Sequence, residues 1–422
     1  MRTVAIHTLG CKLNFSESSS LLQQLEKDGF ARRDFEDQAD VYVINTCSVT
    51  ENADKECRHL VRRIQRQSPA SLVVITGCYA QLKPKEIADI PGVDLVLGAS
   101  EKFNLSSHLK ELSKGDSSRI SSCDITGVTG FHSSYSFNGR TRSFLKVQDG
   151  CDYTCSFCTI PQARGKSRSD TVSNVVAKAN ELASKGIKEI VLTGVNLGDF
   201  GRGAEGSKKY LETFHELIQH LDQVEGIERY RISSIEPNLL THDVIKFVAQ
   251  SRKFMPHFHI PLQSGNDEIL GLMRRRYRRD LYADRVQYIK SLMPDCGIGV
   301  DVIVGFPGEA DLHFDDTYRF LQDLDVSYFH VFTYSERDNT KALELDPVVP
   351  MQIRHARNKA LRSLSYEKMQ AFTRSQMGKM RPVLFESEGK EGTMEGYTDN
   401  YIRITTSFRN EWHNQIKDWL IQ

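Results

Sequence analysis

Short apolar runs alternate with amphipathic stretches along most of the chain. Val4-Ala5-Ile6, Val41-Tyr42-Val43-Ile44, Leu72-Val73-Val74-Ile75 and Val93-Asp94-Leu95-Val96-Leu97 are rich in β-branched residues and read as buried strands. Ser16-Glu17-Ser18-Ser19-Ser20 is polar and cap-rich ahead of Leu21-Leu22-Gln23-Gln24-Leu25, which predicts a helix there, and a second helix covers 51–67. This alternation predicts a doubly wound parallel sheet. The rhythm lapses over 101–140, where serines such as Ser117, Ser118, Ser133 and Ser134 mark a connector. It restarts with strands predicted at 143–149, 189–195, 229–235, 258–262, 298–305 and 327–333, each pair separated by room for a helix. Six such units predict an incomplete βα barrel; eight would close one. Residues 352–376 read as one long helix. From about 379 to 422, short alternating runs such as Val383-Leu384-Phe385 and Tyr401-Ile402-Arg403-Ile404 predict a small all-β domain.

The chain is therefore α/β with several domains, as 422 residues already suggest. We place boundaries at 1–112, 113–136 (connector), 137–376 and 377–422. Apolar residues are 39% and no apolar run approaches the ~20 residues of a membrane helix, so a membrane-spanning protein is not expected. Met1-Arg2 leads into a strand-like segment and not into a secretory apolar region, so a cytoplasmic location is expected. Acids and bases balance at 55 each, which excludes a uniformly basic nucleic-acid coat but leaves room for local basic faces.

Nine cysteines, an odd number, argue against a disulfide framework in a reducing compartment. Cys151, Cys155 and Cys158 form a C-x3-C-x2-C run at the end of the first barrel strand, where βα barrels build their active sites. Three thiolates on one loop suit an iron–sulfur cluster with one iron left open; a zinc site completed by Asp152, or unrelated thiols, are the alternatives. Cys11, Cys47 and Cys78 are distant in sequence, yet each follows one of the first three strands (Gly10-Cys11, Thr46-Cys47, Gly77-Cys78). In a parallel sheet these ends share one edge, so three cysteines can converge on a second metal site. Otherwise they are buried small hydrophobes; Cys57 in a helix, Cys123 in the connector and Cys296 before a strand we read as structural.

The C-x3-C-x2-C loop and the six βα units resemble the radical S-adenosylmethionine (SAM) superfamily. Gly194 and Asn196 end the second barrel strand, Ser233, Ser234 and Glu236 the third, and Gln263 the fourth; these are SAM-contact candidates, or loop caps. The resemblance narrows over nearly the full length to the methylthiotransferase family. It rests on Gly10-Cys11-Lys12-Leu13-Asn14 with Glu17, Asn45-Thr46-Cys47-Ser48-Val49, Gly77-Cys78-Tyr79-Ala80-Gln81, Ile160-Pro161-Gln162-Ala163-Arg164-Gly165, Pro261-Leu262-Gln263-Ser264-Gly265 and Gly305-Phe306-Pro307-Gly308-Glu309. The tail resembles a TRAM domain, shortened in that Trp412 to Gln422 is not expected to supply the last strands.

That resemblance implies two 4Fe–4S clusters, one on Cys11, Cys47 and Cys78 and one on Cys151, Cys155 and Cys158. It also implies SAM as methyl donor and radical source. It is closest to the branch that replaces adenine C2–H by a methylthio group on N6-threonylcarbamoyladenosine at position 37 of tRNA, next to the anticodon. A ribosomal-protein aspartate methylthiotransferase and a non-catalytic iron–sulfur RNA-binding sensor are the alternatives. The implied partners are a tRNA anticodon stem-loop, an electron donor such as flavodoxin or ferredoxin, and a sulfur source, with the chain acting as a monomer.

Basic clusters offer RNA contacts. Arg274, Arg275, Arg276, Arg278 and Arg279 form the densest run; Lys55, Arg58, Arg62 and Arg66 share a helix face; the 352–376 helix carries six cations against Glu367. Solvated faces paired with acids such as Asp54, Glu56 and Asp280 are the plainer reading. Tyr397 and Tyr401 are candidates for base stacking, or for core packing. Gly201-Arg202-Gly203-Ala204-Glu205-Gly206 matches a dinucleotide fingerprint only literally, since polar residues separate it from its strand; we read it as a loop over the barrel mouth.

Overall fold

The computed structural model describes residues 2–47, 51–115, 118–137, 141–202 and 211–422. Ser48, Val49, Ser117 and residues 203–206 of the glycine-rich loop lie outside the described residues.

The N-terminal sheet is wholly parallel. Its strands are β1 (Thr3–Thr8), β2 (Ala31–Arg32), β3 (Val41–Thr46), β4 (Leu72–Gly77), β5 (Leu95–Leu97) and β6 (Arg119–Ser121), in the order β2-β1-β3-β4-β5-β6. Strands β3 and β4 are buried throughout, which explains their continuous apolar runs. Helices cover both faces. One apolar cluster includes Leu21, Leu25, Leu105 and Leu109; the other includes Val61, Ile64 and Ile87. The strand order reverses between β1 and β3, and at such a switch point a parallel sheet opens a crevice at its carboxyl edge. The stretch read as a connector contributes β6 to this sheet and β7 (Ser134–Tyr135) to the next. Both are too short and too polar to carry a periodic signal.

The central domain contains β8 (Arg142–Lys146), a short antiparallel pair β9 (Gln148–Asp149) and β10 (Arg168–Ser169), then β11 (Glu189–Thr193), β12 (Arg229–Ile232), β13 (His257–Gln263), β14 (Gly297–Val304) and β15 (Tyr328–Thr333). Strands β8, β11 and β12 pair in parallel, as do β13, β14 and β15. Single bridges at Tyr230–Phe254 and Ser234–His259 join the two groups into a six-stranded open barrel. Strand β7 caps its first edge, antiparallel to β8.

The long helix Met351–Gln376 packs against β15. Its Arg354 and Arg357 are buried, bonded to Glu336 and Glu309, so these two cations serve packing and not an RNA face. Strands β16 (Met380–Glu388), β17 (Thr393–Thr398), β18 (Arg403–Ser407) and β19 (Ile416–Leu420) form an antiparallel sheet in the order β18-β17-β16-β19 over Val383, Phe385 and Met394. The tail thus supplies a closing strand where the sequence reading found none. Lys417-Asp418 interrupts the apolar alternation of β19, which its pairing with β16 secures instead.

Candidate active site

The three cysteine loops of the first domain are tied to one another by side-chain hydrogen bonds. Asn14 Nδ2 donates to the carbonyls of Leu9 and Thr46, both at 2.9 Å. Asn45 Nδ2 donates to Asn14 O at 2.9 Å, and Thr46 Oγ1 donates to Thr76 O at 2.5 Å. Two glycines allow the close approach. Gly10 (φ +98°) would put a Cβ 2.4 Å from Cys47 Cβ, and Gly77 (φ +97°) would put one 2.3 Å from Thr46 O. Cys47 and Cys78 are buried, and Cys11 is exposed at the start of helix α1 (Lys12–Lys27). Burial pushes the Cys78 thiol up, and the Arg164 guanidinium opposes that shift.

In the barrel, Cys151, Cys155 and Cys158 follow β9 and are half-buried. Tyr153 N donates to Cys151 Sγ at 3.4 Å and Ile160 N to Cys158 Sγ at 3.5 Å. Arg275 Nη1 donates to Cys155 Sγ at 3.1 Å while its Nη2 pairs with Glu236. Burial pushes the Cys158 thiol up to about 12 and raises those of Cys151 and Cys155. Asp152 is taken by Ser167 N (2.9 Å) and Arg202, so it is not a fourth ligand. Both sets are therefore all-thiol with N–H donors aimed at sulfur in the second, a soft donor set that fits iron–sulfur clusters.

The elements that carry the two sets pack together. The helix Ile160–Arg164, two residues beyond Cys158, packs on the helix Cys78–Leu82, which begins at Cys78. Arg164 donates to Asn14 Oδ1 (2.5 Å), Asp149 Oδ1 (2.9 Å) and Glu17 Oε1 (3.2 Å). Glu17 is fully buried and also binds Lys102 (2.7 Å) and Lys146 (2.9 Å). Those cations hold the Glu17 and Asp149 carboxyls well below the usual carboxylate range despite burial, which acts the other way.

Two cavities adjoin the cysteines. A chamber of about 600 Å³ reaches from Cys11 into the barrel and is floored by Tyr397 and Tyr401 of the tail. Tyr401 stacks with His257 (4.2 Å) and Tyr397 (4.8 Å), and Arg142 lies over Tyr397 (4.5 Å), so these rings are used in packing. Burial and neighbouring cationic groups hold His257 and His330 below the usual histidine range. A smaller cavity of about 230 Å³ lies beside Cys158, lined by Phe157, Gln263, Ile303, Thr333 and Arg337.

The sequence-derived candidates divide accordingly. Of the proposed SAM contacts, Gln263 lines the smaller cavity and Ser233 and Ser234 line the chamber. Ser234 Oγ is bonded to His259 Nδ1 (2.9 Å) and Glu236 is taken by Arg275. Asn196 Nδ2 bonds Asp199 (3.0 Å), and Gly194 packs against Gln148. Within the arginine run, Arg274, Arg276, Arg278 and Arg279 are exposed, but Arg275 is buried against Cys155 and cannot reach a phosphate. Arg58 pairs with Glu86 (2.7 Å). Cys57 and Cys296 are buried in apolar cores, and Cys123 is exposed. Sequence reading passed over His259, Asp301 and His330, which stand on adjacent strands within 4.8 Å of one another. The period-2 placement of His257 and His259, both on one face of β13, was the available signal.

An open six-stranded βα barrel with a three-cysteine loop at its carboxyl end is the architecture of radical SAM enzymes, and the profile of that superfamily matches residues 145–321. A profile described as an uncharacterized protein family, UPF0004, matches residues 3–98. A radical SAM methyltransferase, TsrM from Kitasatospora setae, solved with tryptophan and a SAM analogue, shares the fold at a TM-score of 0.57 and 16% identity, over 79% of this chain and 73% of that one. Threonylcarbamoyladenosine tRNA methylthiotransferase MtaB of Bacillus subtilis is 40% identical over 96% of this chain and 90% of its own. Its Aquifex aeolicus counterpart is 40% identical over 95% and 96%. The chain belongs to the methylthiotransferase family of radical SAM enzymes. Among the described residues no helix is long and apolar enough to cross a membrane.

Proposed function

We propose that the chain methylthiolates tRNA, replacing the C2 hydrogen of N6-threonylcarbamoyladenosine at position 37 by a methylthio group. The observation that carries this reading is the seating of the domain that holds Cys11, Cys47 and Cys78 on the barrel loop region through Arg164, with a chamber opening at Cys11 and a smaller cavity beside Cys158. Cys151, Cys155 and Cys158 would hold the cluster that binds SAM, and Cys11, Cys47 and Cys78 an auxiliary cluster. When bound, the first cluster would pass one electron from the external donor to SAM, which cleaves to methionine and a 5′-deoxyadenosyl radical, and the second would supply a transferable sulfur.

The chain's own groups do the rest. Arg275 orients Cys155 and is itself held by Glu236. Gln263, with Phe157 and Thr333, offers SAM a part-apolar cleft beside Cys158. Arg164 fixes the first domain against the barrel, and the chamber admits the modified base to Cys11 while its walls exclude bulk water. Four exposed arginines from 274 to 279 are placed to meet phosphates of the anticodon stem-loop. An external electron donor and sulfur source complete the cycle, and we take the domains to be 1–112, 137–376 and 377–422 with 113–136 joining the first two.

The test is anaerobic iron and sulfide counting with a tRNA assay. Two four-iron clusters predict about eight irons per chain, falling to about four when Cys11, Cys47 and Cys78 all become Ala. That variant should still cleave SAM but form no methylthio product, read by mass spectrometry of nucleosides. About four irons in both proteins, or product from the variant, rejects the reading.

A further inference from the structure

The chamber has an unusual lining. Lys12, Arg142 and Arg231 bring three basic side chains to it, together with tyrosines, serines and histidines, and no carboxylate is among its lining residues. Two of these cations are already satisfied. Arg142 binds Glu386 (2.6 Å), and Arg231 binds Glu189 (2.9 Å) and the carbonyls of Thr398 (2.6 Å) and Asp399 (2.8 Å). Lys12 differs: among the described residues no hydrogen bond or ion pair engages its ammonium, although it lies within electrostatic range of Arg142, Arg231 and Asp301. Its surface is exposed, but to the chamber, immediately after Cys11.

An unpaired ammonium beside two further cations costs free energy unless an anion joins it. A divalent cation on His259, Asp301 and His330 would meet the same field and be repelled, so that triad is read as a polar wall. The volume falls within the usual range for a small-molecule subsite.

We propose that Lys12 forms a carboxylate-binding subsite that selects a nucleobase whose N6 substituent ends in a carboxylate. This rests on the threonylcarbamoyladenosine reading and deepens it, because the threonyl group supplies that carboxylate and an unmodified or hydrocarbon-substituted adenine does not. Arg142 and Arg231, held rigid by their partners, supply the surrounding positive potential, and Lys12 Nζ makes the direct contact.

The experiment compares two anticodon stem-loops with the reconstituted full-length protein. One carries N6-threonylcarbamoyladenosine; the other carries its carboxamide, equal in shape but neutral. Dissociation constants are read by anisotropy. The wild type should bind the carboxylate form roughly tenfold or more tightly, the worth of a charge-assisted hydrogen bond. Lys12→Met should bind both forms at the carboxamide level, and Lys12→Arg should restore the preference. Iron counted on Lys12→Met and Lys12→Arg should stay at the wild-type level; this separates loss of the ammonium from loss of iron. Equal binding of both forms by the wild type overturns the proposal, as does an undiminished preference in Lys12→Met. Failure of the wild type to methylthiolate the carboxylate form, with the binding preference intact, rejects the functional reading and leaves the subsite standing.

Discussion

Arg275 and Arg276 are neighbours with opposite fates. Arg275 is buried between Glu236 and Cys155, whereas Arg276 is exposed and lies over the Tyr153 ring at 3.8 Å. Changing Arg276, Arg278 and Arg279 to Glu should weaken tRNA binding and flatten its dependence on salt, by roughly 0.7–0.9 in log–log slope per lost phosphate contact. Arg275→Gln should leave that slope unchanged and instead lower the iron retained by the Cys151 loop, counted after anaerobic gel filtration. A run of arginines carries no sign of which side chain turns inward, so sequence reading assigned all of them to RNA. Cysteines behave differently: C-x3-C-x2-C is local, and Cys11, Cys47 and Cys78 each follow a strand of one parallel sheet (β1, β3 and β4, neighbours in that sheet), so both groups could be proposed before any coordinates. Lys12 belongs to the Gly10–Asn14 motif, but that no partner among the described residues engages its ammonium appears only in the folded chain.

Strand β12 shows why the lower barrel was harder to read than the sheet that precedes it. Arg229 and Arg231 alternate with Tyr230 and Ile232, the pattern of a half-exposed strand, yet all four are buried. Their charge is met inside by Glu189 and by main-chain carbonyls of the tail: Pro382 and Tyr397 accept from Arg229, Thr398 and Asp399 from Arg231. The C-terminal sheet is thus the floor of the barrel as well as a unit with its own small core. Arg231→Met removes one side of a buried ion pair and two interdomain hydrogen bonds, and should cost about 3–5 kcal/mol in urea unfolding. A loss below about 1 kcal/mol would mean that Arg229 alone compensates Glu189. The strand–helix rhythm located these strands correctly; what it could not tell was that the C-terminal sheet, far along the sequence, would cover polar side chains.

Coupling between the two cysteine sets depends on how the first domain sits on the barrel, and that seat is electrostatic. Glu17 of α1 is ringed by Lys102, Lys146 and Arg164, while Asp149, two residues before Cys151, shares Lys146 and Arg164 and adds Arg168. Both carboxyls have folded-state values depressed below their ordinary 4.5 and 3.8. A depressed carboxyl contributes stability above its unfolded value, and that contribution is lost as pH falls toward the folded one. The seat should therefore be insensitive to pH from neutrality to about pH 5 and loosen below about 4.5, followed by limited proteolysis between the domains. Glu17→Gln leaves three buried cations around a neutral amide, so the seat should already be loose at pH 7 and its acid transition smaller. Because Cys151, Cys155 and Cys158 lie wholly within the barrel, that variant should still cleave SAM, yet form several-fold less methylthio product per 5′-deoxyadenosine released. Equal loss of both activities would place Glu17 in general stability; a falling product ratio at constant SAM cleavage assigns it to the distance between the two cysteine sets, which the proposed two-cluster chemistry spans within one turnover.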